Sequence, residues 1–323
     1  MQIYVCVKHV PDTAATITVV GDTGYNDTAC KFIINPYDEY AVEEAVQRVE
    51  KAGSGEVVVV TVGSEAAVST MRSAMAMGAH RGILVKIQGQ FLDSTLTSLA
   101  LKAAIEQDGA GTPDIIFTGK ESIDSEGMQT MFRLAAALDV PIATSVVAFA
   151  IDENKALVEC ELEAGVKQLL EMPLPCVIAA GKGLNKPKYP TFMDIRKAKK
   201  KEIKQIDLTS LPIEKPTASM QILELKPAIE TLKEIADSSI DFVFIDADKP
   251  SYSLYFDEAL RILRSGGLVF VDNVFWRNKI FKKPISNENA KAIAAFNRKV
   301  KNTDGIDKVM LSVRDGVYLI RKR

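Results

Sequence analysis

Short runs of β-branched and aliphatic residues alternate with longer stretches of helical period through the first part of the chain. Ile3–Val7, Val57–Val62, Gly82–Ile87 and Asp114–Thr118 are apolar at almost every position, the pattern of strands buried on both faces. Apolar positions at helical spacing predict helices from Pro36 onward and over Glu65–Met77, Ser94–Gln107 and Met128–Leu138. The first of these has a well-formed start: Asn35 can cap, Pro36 fits the first turn, and Asp38 and Glu39 complement the positive end of the helix dipole. This order predicts an α/β fold with a doubly wound, mostly parallel sheet. After Pro141 the pattern changes to paired strands at Ala143–Ile151 and Ala156–Glu161, joined by the turn Asp152-Glu153-Asn154, with a further strand at Val177–Ala180. Lys186–Lys201 reads as a loop and basic run, and Asp207–Pro227, with Pro212, Pro216 and Pro227, as a linker or extended arm. A second series follows, with strands at Asp241–Asp246 and Gly267–Asp272 and a closing hairpin of Lys308–Ser312 with Gly316–Arg321. Helices at about Ser253–Arg264 and Glu288–Lys301 separate them. That amounts to half of a doubly wound domain. The expected organisation is residues 1–211, a junction at 212–240, and an incomplete unit at 241–323.

Composition narrows the class of protein without naming it. The 323 residues are 47% hydrophobic and 25% charged, and the formal net charge of −2 gives no basic field suited to nucleic acid. Cys6, Cys30, Cys160 and Cys176 are far apart and form no CxxC pair, which favours a reducing compartment. The opening Met1–Val7 is too short for a signal peptide or a membrane span. The expectation is a soluble cytoplasmic protein, or an organelle matrix protein after processing.

In open parallel sheets, ligands bind beyond the carboxyl ends of the strands. The first strand ends near Cys6 to His9, Asn35-Pro36-Tyr37-Asp38 opens a helix, and the second strand runs out at Val62-Gly63-Ser64. The fourth ends in Thr118-Gly119-Lys120, followed by a loop rich in Ser, Asp and Gly that leads into another helix. A helix N-terminus with Ser122, Ser125 and Thr130 beside it suits a phosphate. Asp124 and Glu126 would repel one, and are better placed to cap the helix or face a ribose. The same loop is equally readable as a plain helix start. Gly109-Ala110-Gly111 precedes a strand and is no dinucleotide fingerprint, and neither a P-loop nor a Ser-His-Asp order is present.

Five ordered stretches decide between these readings: Val5–Thr13, Ile34–Ala45, Ala74–Arg81, Gly119–Asp124 and Leu184–Pro190, the last leading into Ile195–Lys201. Through them, residues 1 to about 211 resemble the β subunit of electron transfer flavoprotein. The resemblance implies a heterodimer with an α subunit that holds most of the FAD, while this chain binds AMP or, in electron-bifurcating members, a second FAD. By matched position the nucleotide contacts would be Cys6, Asn35, Pro36, Tyr37, Asp38 and Val62. The loop would add Glu121, Ser122, Ile123, Asp124, Ser125, Glu126, Gly127, Met128, Gln129 and Thr130, on to Phe132. The family's loop for acyl-CoA-type dehydrogenases would map to Lys188–Lys197, with Phe192 where a leucine often stands, and Lys197 and Lys200 match positions that some members methylate. Phe192 either covers the core or anchors a partner. Two departures stand out. Bifurcating members usually show Asp-Gly-Asp-Thr-Ala-Gln-Val-Gly in place of Asp124–Met131, which leaves AMP against FAD open. Cys160 stands where the family normally has Arg or Lys.

In the second unit, the strand Phe242–Ile245 runs into Asp246, Asp248 and Lys249, and the next strand ends in Asp272-Asn273. Carboxylates and an amide oxygen at adjacent strand ends are hard ligands for Mg²⁺. Asp at a strand end is also commonly just a cap. Asp241–Lys249 with Tyr252, Ala259–Gly267, Val271–Val274 with Trp276, and Ala295-Phe296-Asn297 resemble the cation-dependent O-methyltransferases of the caffeoyl-CoA and catechol type. The resemblance implies that Asp246, Asp272 and Asn273 hold the metal, Asp248 lies near S-adenosylmethionine, and Lys249 is the base. Leu208–Ile240 is too short for the family's glycine-bearing first strand and the acidic residue that grips the ribose, so an unpaired sheet edge is expected. The preferred reading is an electron-carrier β subunit with a truncated methyltransferase tail, and the alternative is a metal-dependent O-methyltransferase.

Overall fold

The computed structural model describes the chain apart from residues 14, 16, 27, 29, 90, 91, 110 and 215–217, so Ala110 and Pro216 of the sequence reading lie outside the described residues. The contacts divide the chain into two units, Met1–Leu223 and Glu224–Arg323.

The first unit is organised on a nine-stranded sheet. It opens with β1 (Gln2–Cys6), and two short antiparallel pairs, β2 (His9–Pro11) with β5 (Phe32–Ile34) and β3 (Val19–Val20) with β4 (Gly24–Tyr25), lead to α1 (Pro36–Ala52). There follow β6 (Glu56–Gly63), α2 (Val68–Ala76), β7 (Arg81–Lys86), α3 (Ser94–Gln107), β8 (Ile115–Gly119) and α4 (Thr130–Leu138). After these come β9 (Ile142–Asp152), β10 (Lys155–Glu161), β11 (Lys167–Pro173), β12 (Cys176–Ala180), α5 (Phe192–Ala198) and β13 (Ile203–Asp207). The strand order is β11-β10-β9-β12-β8-β1-β6-β7-β13. From β9 to β13 every pairing is parallel, and β10 and β11 extend one end as an antiparallel meander. Residues of α1 and α2 pack one face, and those of α3 and α4 the other, which gives the doubly wound arrangement expected.

Four elements of this unit show where the structure departs from the sequence reading. The basic stretch read as loop contains α5, started by a reciprocal capping box between Thr191 and Asp194. The strands β11 and β13 went unread because each is an edge strand with many exposed polar residues, and pairing defines it more than alternation does. Helix α4 starts at Thr130 and not at Met128, because Met128 and Glu126 adopt left-handed backbone (φ 48° and 47°) that no α-helix accommodates.

The second unit contains α6 (Ala228–Glu234), β14 (Ile240–Ile245), α7 (Tyr252–Ile262), β15 (Leu263–Val271), α8 (Glu288–Asn302), β16 (Ile306–Leu311) and β17 (Val317–Lys322), in the sheet order β14-β15-β17-β16. Its own core surrounds Phe296, whose ring meets Tyr252, Phe256 and Tyr318 edge-on. The strand β14 is the last of its sheet, with Phe242 and Phe244 51% and 58% exposed, the open edge that the sequence led one to expect.

A knot at the start of α1 fixes the strand ends of the first unit. The buried Asp38 carboxylate accepts from the backbone N–H of Lys8 after β1 (2.7 Å), the N–H of Gly119 at the end of β8 (3.0 Å) and Asn35 Nδ2 (2.9 Å). Asn35 therefore occupies the cap position without capping: its amide donates to Glu121 O (2.8 Å) and accepts from the Ile123 N–H (3.2 Å), tying down the following loop. Gly119 is required by this closeness, since a Cβ there would run into Asp38 Oδ1 and lie 2.7 Å from Tyr37 Cβ. Burial pushes Asp38 up to about 7, against the pull of its three N–H donors.

Gly119→Ala is expected to destabilise the first unit by about 2 kcal/mol through overpacking, read as a lower urea midpoint. Because Asp38 binds its proton more tightly folded than unfolded, its contribution to stability falls as pH rises from the ordinary carboxylate range to about 7, then stays level. Asp38→Asn cannot follow that course. The stability gap between wild type and variant is expected to narrow with rising pH across this window, and a gap of constant size in urea titrations between pH 5 and 8 would contradict the assignment.

Candidate functional site

The carboxyl ends of β1, β6 and β8 lie side by side in the sheet, and the residues expected there assemble around them. Cys6 is a buried thiol whose pKa is driven well up by burial and then by Asp38, so it is no nucleophile. Val62 is half-buried and packs with the same α3/α4 face of the sheet as Cys6. Asn35, Pro36, Tyr37 and Asp38 form the start of α1, and the Lys120 ammonium lies over the Tyr37 ring at 5.2 Å.

The loop from Glu121 to Gln129 is held from beneath and open above. Lys8, a residue to which the sequence reading gave no role, donates to Asp124 Oδ1 (2.8 Å), Ser122 Oγ (3.2 Å) and Ser125 Oγ (3.5 Å). Asp124 is thus a partner of Lys8 and does not cap α4, the first of the two roles expected for it. Neither it nor Glu126 stands in the first turn of α4, which carries no acidic side chain. Asp124, Ser125, Glu126, Gly127, Met128 and Gln129 are exposed, while Glu121, Ser122, Ile123 and Thr130 are half-buried. Gln129 occupies the cap position of α4 and makes no side-chain cap bond. The Thr118 hydroxyl, buried at the end of β8, has no hydrogen-bond partner. A helix start without a side-chain cap suits a phosphate, and an unsatisfied hydroxyl at a strand end suits a polar group of a nucleotide. Thr118 was quoted in the sequence as part of a strand end; its lack of a partner is a fact of the fold.

Phe192 stands on the outer side of α5 and is 77% exposed, so of its two readings the core-covering one is excluded. Tyr189 (97% exposed), Met193 and Ile195 extend the same apolar display, and Lys197 and Lys200 are exposed beyond it.

In the second unit, Asp246, Asp248 and Lys249 follow β14, and Asp272 and Asn273 follow the adjacent parallel β15. The Lys249 ammonium, 8% exposed, donates to Asp246 Oδ1 (3.0 Å), Asn273 Oδ1 (3.2 Å) and the Tyr252 hydroxyl, and Tyr252 in turn donates to Asp272 O (3.0 Å). Burial, then the charges of Asp246 and Asp272, hold Tyr252 far above an ordinary phenol. Asp272 Oδ1 accepts from the N–H of Asn273, whose backbone is left-handed (φ 57°), and Asp248 accepts from the Ser251 N–H as the cap of a short turn. Of the expected metal set, Asp246 and Asn273 share the Lys249 ammonium, which lies between their oxygens, and Asp272 joins them through its backbone carbonyl and Tyr252. Among the described residues no group of three or more His, Cys, Asp or Glu is gathered for a metal. A divalent cation at Asp246 and Asn273 would meet Lys249 as a like charge, so these residues as arranged do not fit it.

Comparison with known proteins finds two families, whose matches overlap at residues 197–211 within the first unit. An electron transfer flavoprotein domain matches residues 23–211, and an O-methyltransferase family matches residues 197–323. The electron transfer flavoprotein subunit beta of Bacillus subtilis is 33% identical over 235 residues, covering 72% of this chain and 90% of that protein. The mitochondrial subunit beta of Arabidopsis thaliana is 36% identical over 244 residues, covering 75% and 95%. Among solved structures, an SAH-bound methyltransferase of Podospora anserina is 25% identical with a TM-score of 0.27, covering 41% of this chain and 56% of that one. The chain thus spans about half the length of that methyltransferase. The relatives over the first unit carry the conclusion: the chain belongs to the electron transfer flavoprotein family, as a relative of its β subunits.

Proposed function

We propose that the chain works as the β half of an electron-carrying heterodimer, with a FAD-binding α subunit as its companion. The observation that carries this reading is the nucleotide shelf: an uncapped helix start and the orphaned Thr118 hydroxyl at the ends of adjacent parallel strands, in a chain of this family. Bound on the companion, the flavin supplies one-electron chemistry. This chain's own residues bind, orient and dock. The Asp38 knot and Asn35 fix the shelf, Lys8 holds the loop 122–125 in place, and the N–H groups of α4 with Thr118 receive an adenine nucleotide, AMP or a second FAD. Phe192, with Tyr189, Met193 and Ile195, anchors an acyl-CoA-type dehydrogenase, and Lys197 and Lys200 steer its approach. The cytoplasm is the compartment of choice, where the thiols of Cys6, Cys160 and Cys176 stay reduced. Among the described residues no helix is long and apolar enough to cross a membrane.

One observation favours a second reading, an S-adenosylmethionine- and divalent-metal-dependent O-methyltransferase: Asp246, Lys249, Asp272 and Asn273 meet at two adjacent strand ends, in a segment that matches that family. The ammonium among the oxygens and the position of β14 at the end of its sheet weigh against it.

Four measurements test these readings. Co-expressed with an α subunit, the chain is expected to purify as a yellow complex and to release an adenine nucleotide on denaturation in addition to the companion's flavin. Phe192→Ala is expected to raise the KM of that complex for an acyl-CoA dehydrogenase about tenfold at unchanged kcat. A colourless chain that never pairs would overturn the electron-carrier reading. For the second unit, calorimetric titration of the full chain with Mg²⁺ and S-adenosylmethionine is expected to give no saturable heat. Lys249→Met should lower stability by about 2 kcal/mol, less than for a wholly buried pair because Asp246 is exposed in part. Tight binding of both, with methylation lost in Asp246→Ala, would favour the methyltransferase instead.

A further inference from the structure

The segment that carries Phe192 is held at both ends by groups that docking itself does not use. On its N-terminal side, Asn185 Nδ2 donates to Tyr40 O (2.9 Å) and Glu44 Oε2 (3.1 Å), and the Lys188 N–H donates to Glu43 Oε2 (3.1 Å). Both glutamates are buried on α1. On its C-terminal side, α2 and α5 cap each other. Arg72 Nη1, from α2, donates to the carbonyl of Ala198 (2.8 Å), the last residue of α5, and to that of Lys201. Lys201 Nζ, from just beyond α5, donates to Met75 O (3.0 Å) and Ala79 O (2.6 Å), near the end of α2. Each cation lies at the C-terminal end of the other helix, where its dipole is negative, and adds a bond to carbonyls there.

This exchange matters because α5 has only seven residues, far too few for a helix to persist by itself in water. Without the anchors, the backbone around Phe192 and its side chain would have to be ordered at the moment of docking, at a cost of roughly 1 kcal/mol or more per residue. Lys201 is also set apart from Lys197, Lys199 and Lys200: those three are exposed, whereas its ammonium is spent on two carbonyls.

We infer that Arg72 and Lys201 are positioning residues, which hold α5 folded against α2 so that Phe192 meets its partner already in place. The inference rests on the docking reading above and adds to it a requirement for prior order. Its test uses the full chain purified with its flavin-bearing companion, and an acyl-CoA dehydrogenase supplied with its acyl-CoA substrate as electron donor. Arg72→Met and Lys201→Met are each expected to raise KM about tenfold, with kcat and flavin content unchanged. Amide hydrogen exchange over residues 189–198 should be faster in both variants, and Lys201→Arg should recover most of the loss. An unchanged KM in both variants, beside a raised KM in Phe192→Ala, overturns the inference and leaves the docking reading standing. No change in any of the three variants overturns both. Should the methionine variants lose flavin, Arg72→Lys decides: a raised KM at full flavin content supports the inference, and an unchanged one overturns it.

Discussion

The Asp38 carboxylate is the constraint on which the first unit depends. It draws the N–H of Lys8, the N–H of Gly119 and the amide of Asn35 onto one buried group. Those three bonds join the start of α1 to the chain leaving β1 and to the end of β8, two neighbouring strands of a parallel sheet. Parallel strands have no hairpin between them, so their ends are not set by local turns. A shared acceptor does that work here, and the shelf at the carboxyl ends inherits its geometry from it. Asn35 extends the same control to the loop that follows β8, through Glu121 and Ile123.

The fold was legible in the sequence wherever burial is two-sided. The strands Ile3–Val7 and Val57–Val62 and the helix Ser94–Gln107 stand where the hydrophobic pattern placed them, the helix to the residue. Legibility failed at the edges. Ile203–Asp207 is a strand because β7 offers it a partner, and its Lys-Gln pair gives no alternation to read. The site followed the same division. The stretches around Asn35 and Glu121 could be picked out because they are contiguous words. The pairing of Lys8 with Asp124, and the lone hydroxyl of Thr118, depend on residues distant in sequence meeting in space, and no local pattern encodes them. Asn35 misled for a related reason: its residue type suits a cap, but two distant backbone groups compete for its amide.

The two strand-end sites differ in what they leave unmet. In the second unit the Lys249 ammonium meets an aspartate, an asparagine and a tyrosine, the Tyr252 hydroxyl donates to Asp272 O, and Asp248 closes its own turn. Each polar group named has a partner within the unit. A ligand competing for the ammonium would have to break these bonds, and the rings of Tyr252 and Trp276 also lie against the cation. On the shelf of the first unit the balance is reversed. A buried hydroxyl without a partner costs about 1–3 kcal/mol, and a helix start without a side-chain cap about 1 kcal/mol more, so the folded chain carries a deficit at Thr118 and at the start of α4. A ligand rich in acceptors removes both deficits at once. The unmet donors at the first site, set against an ammonium already shared among three side chains at the second, are the physical ground for proposing the first as the nucleotide site.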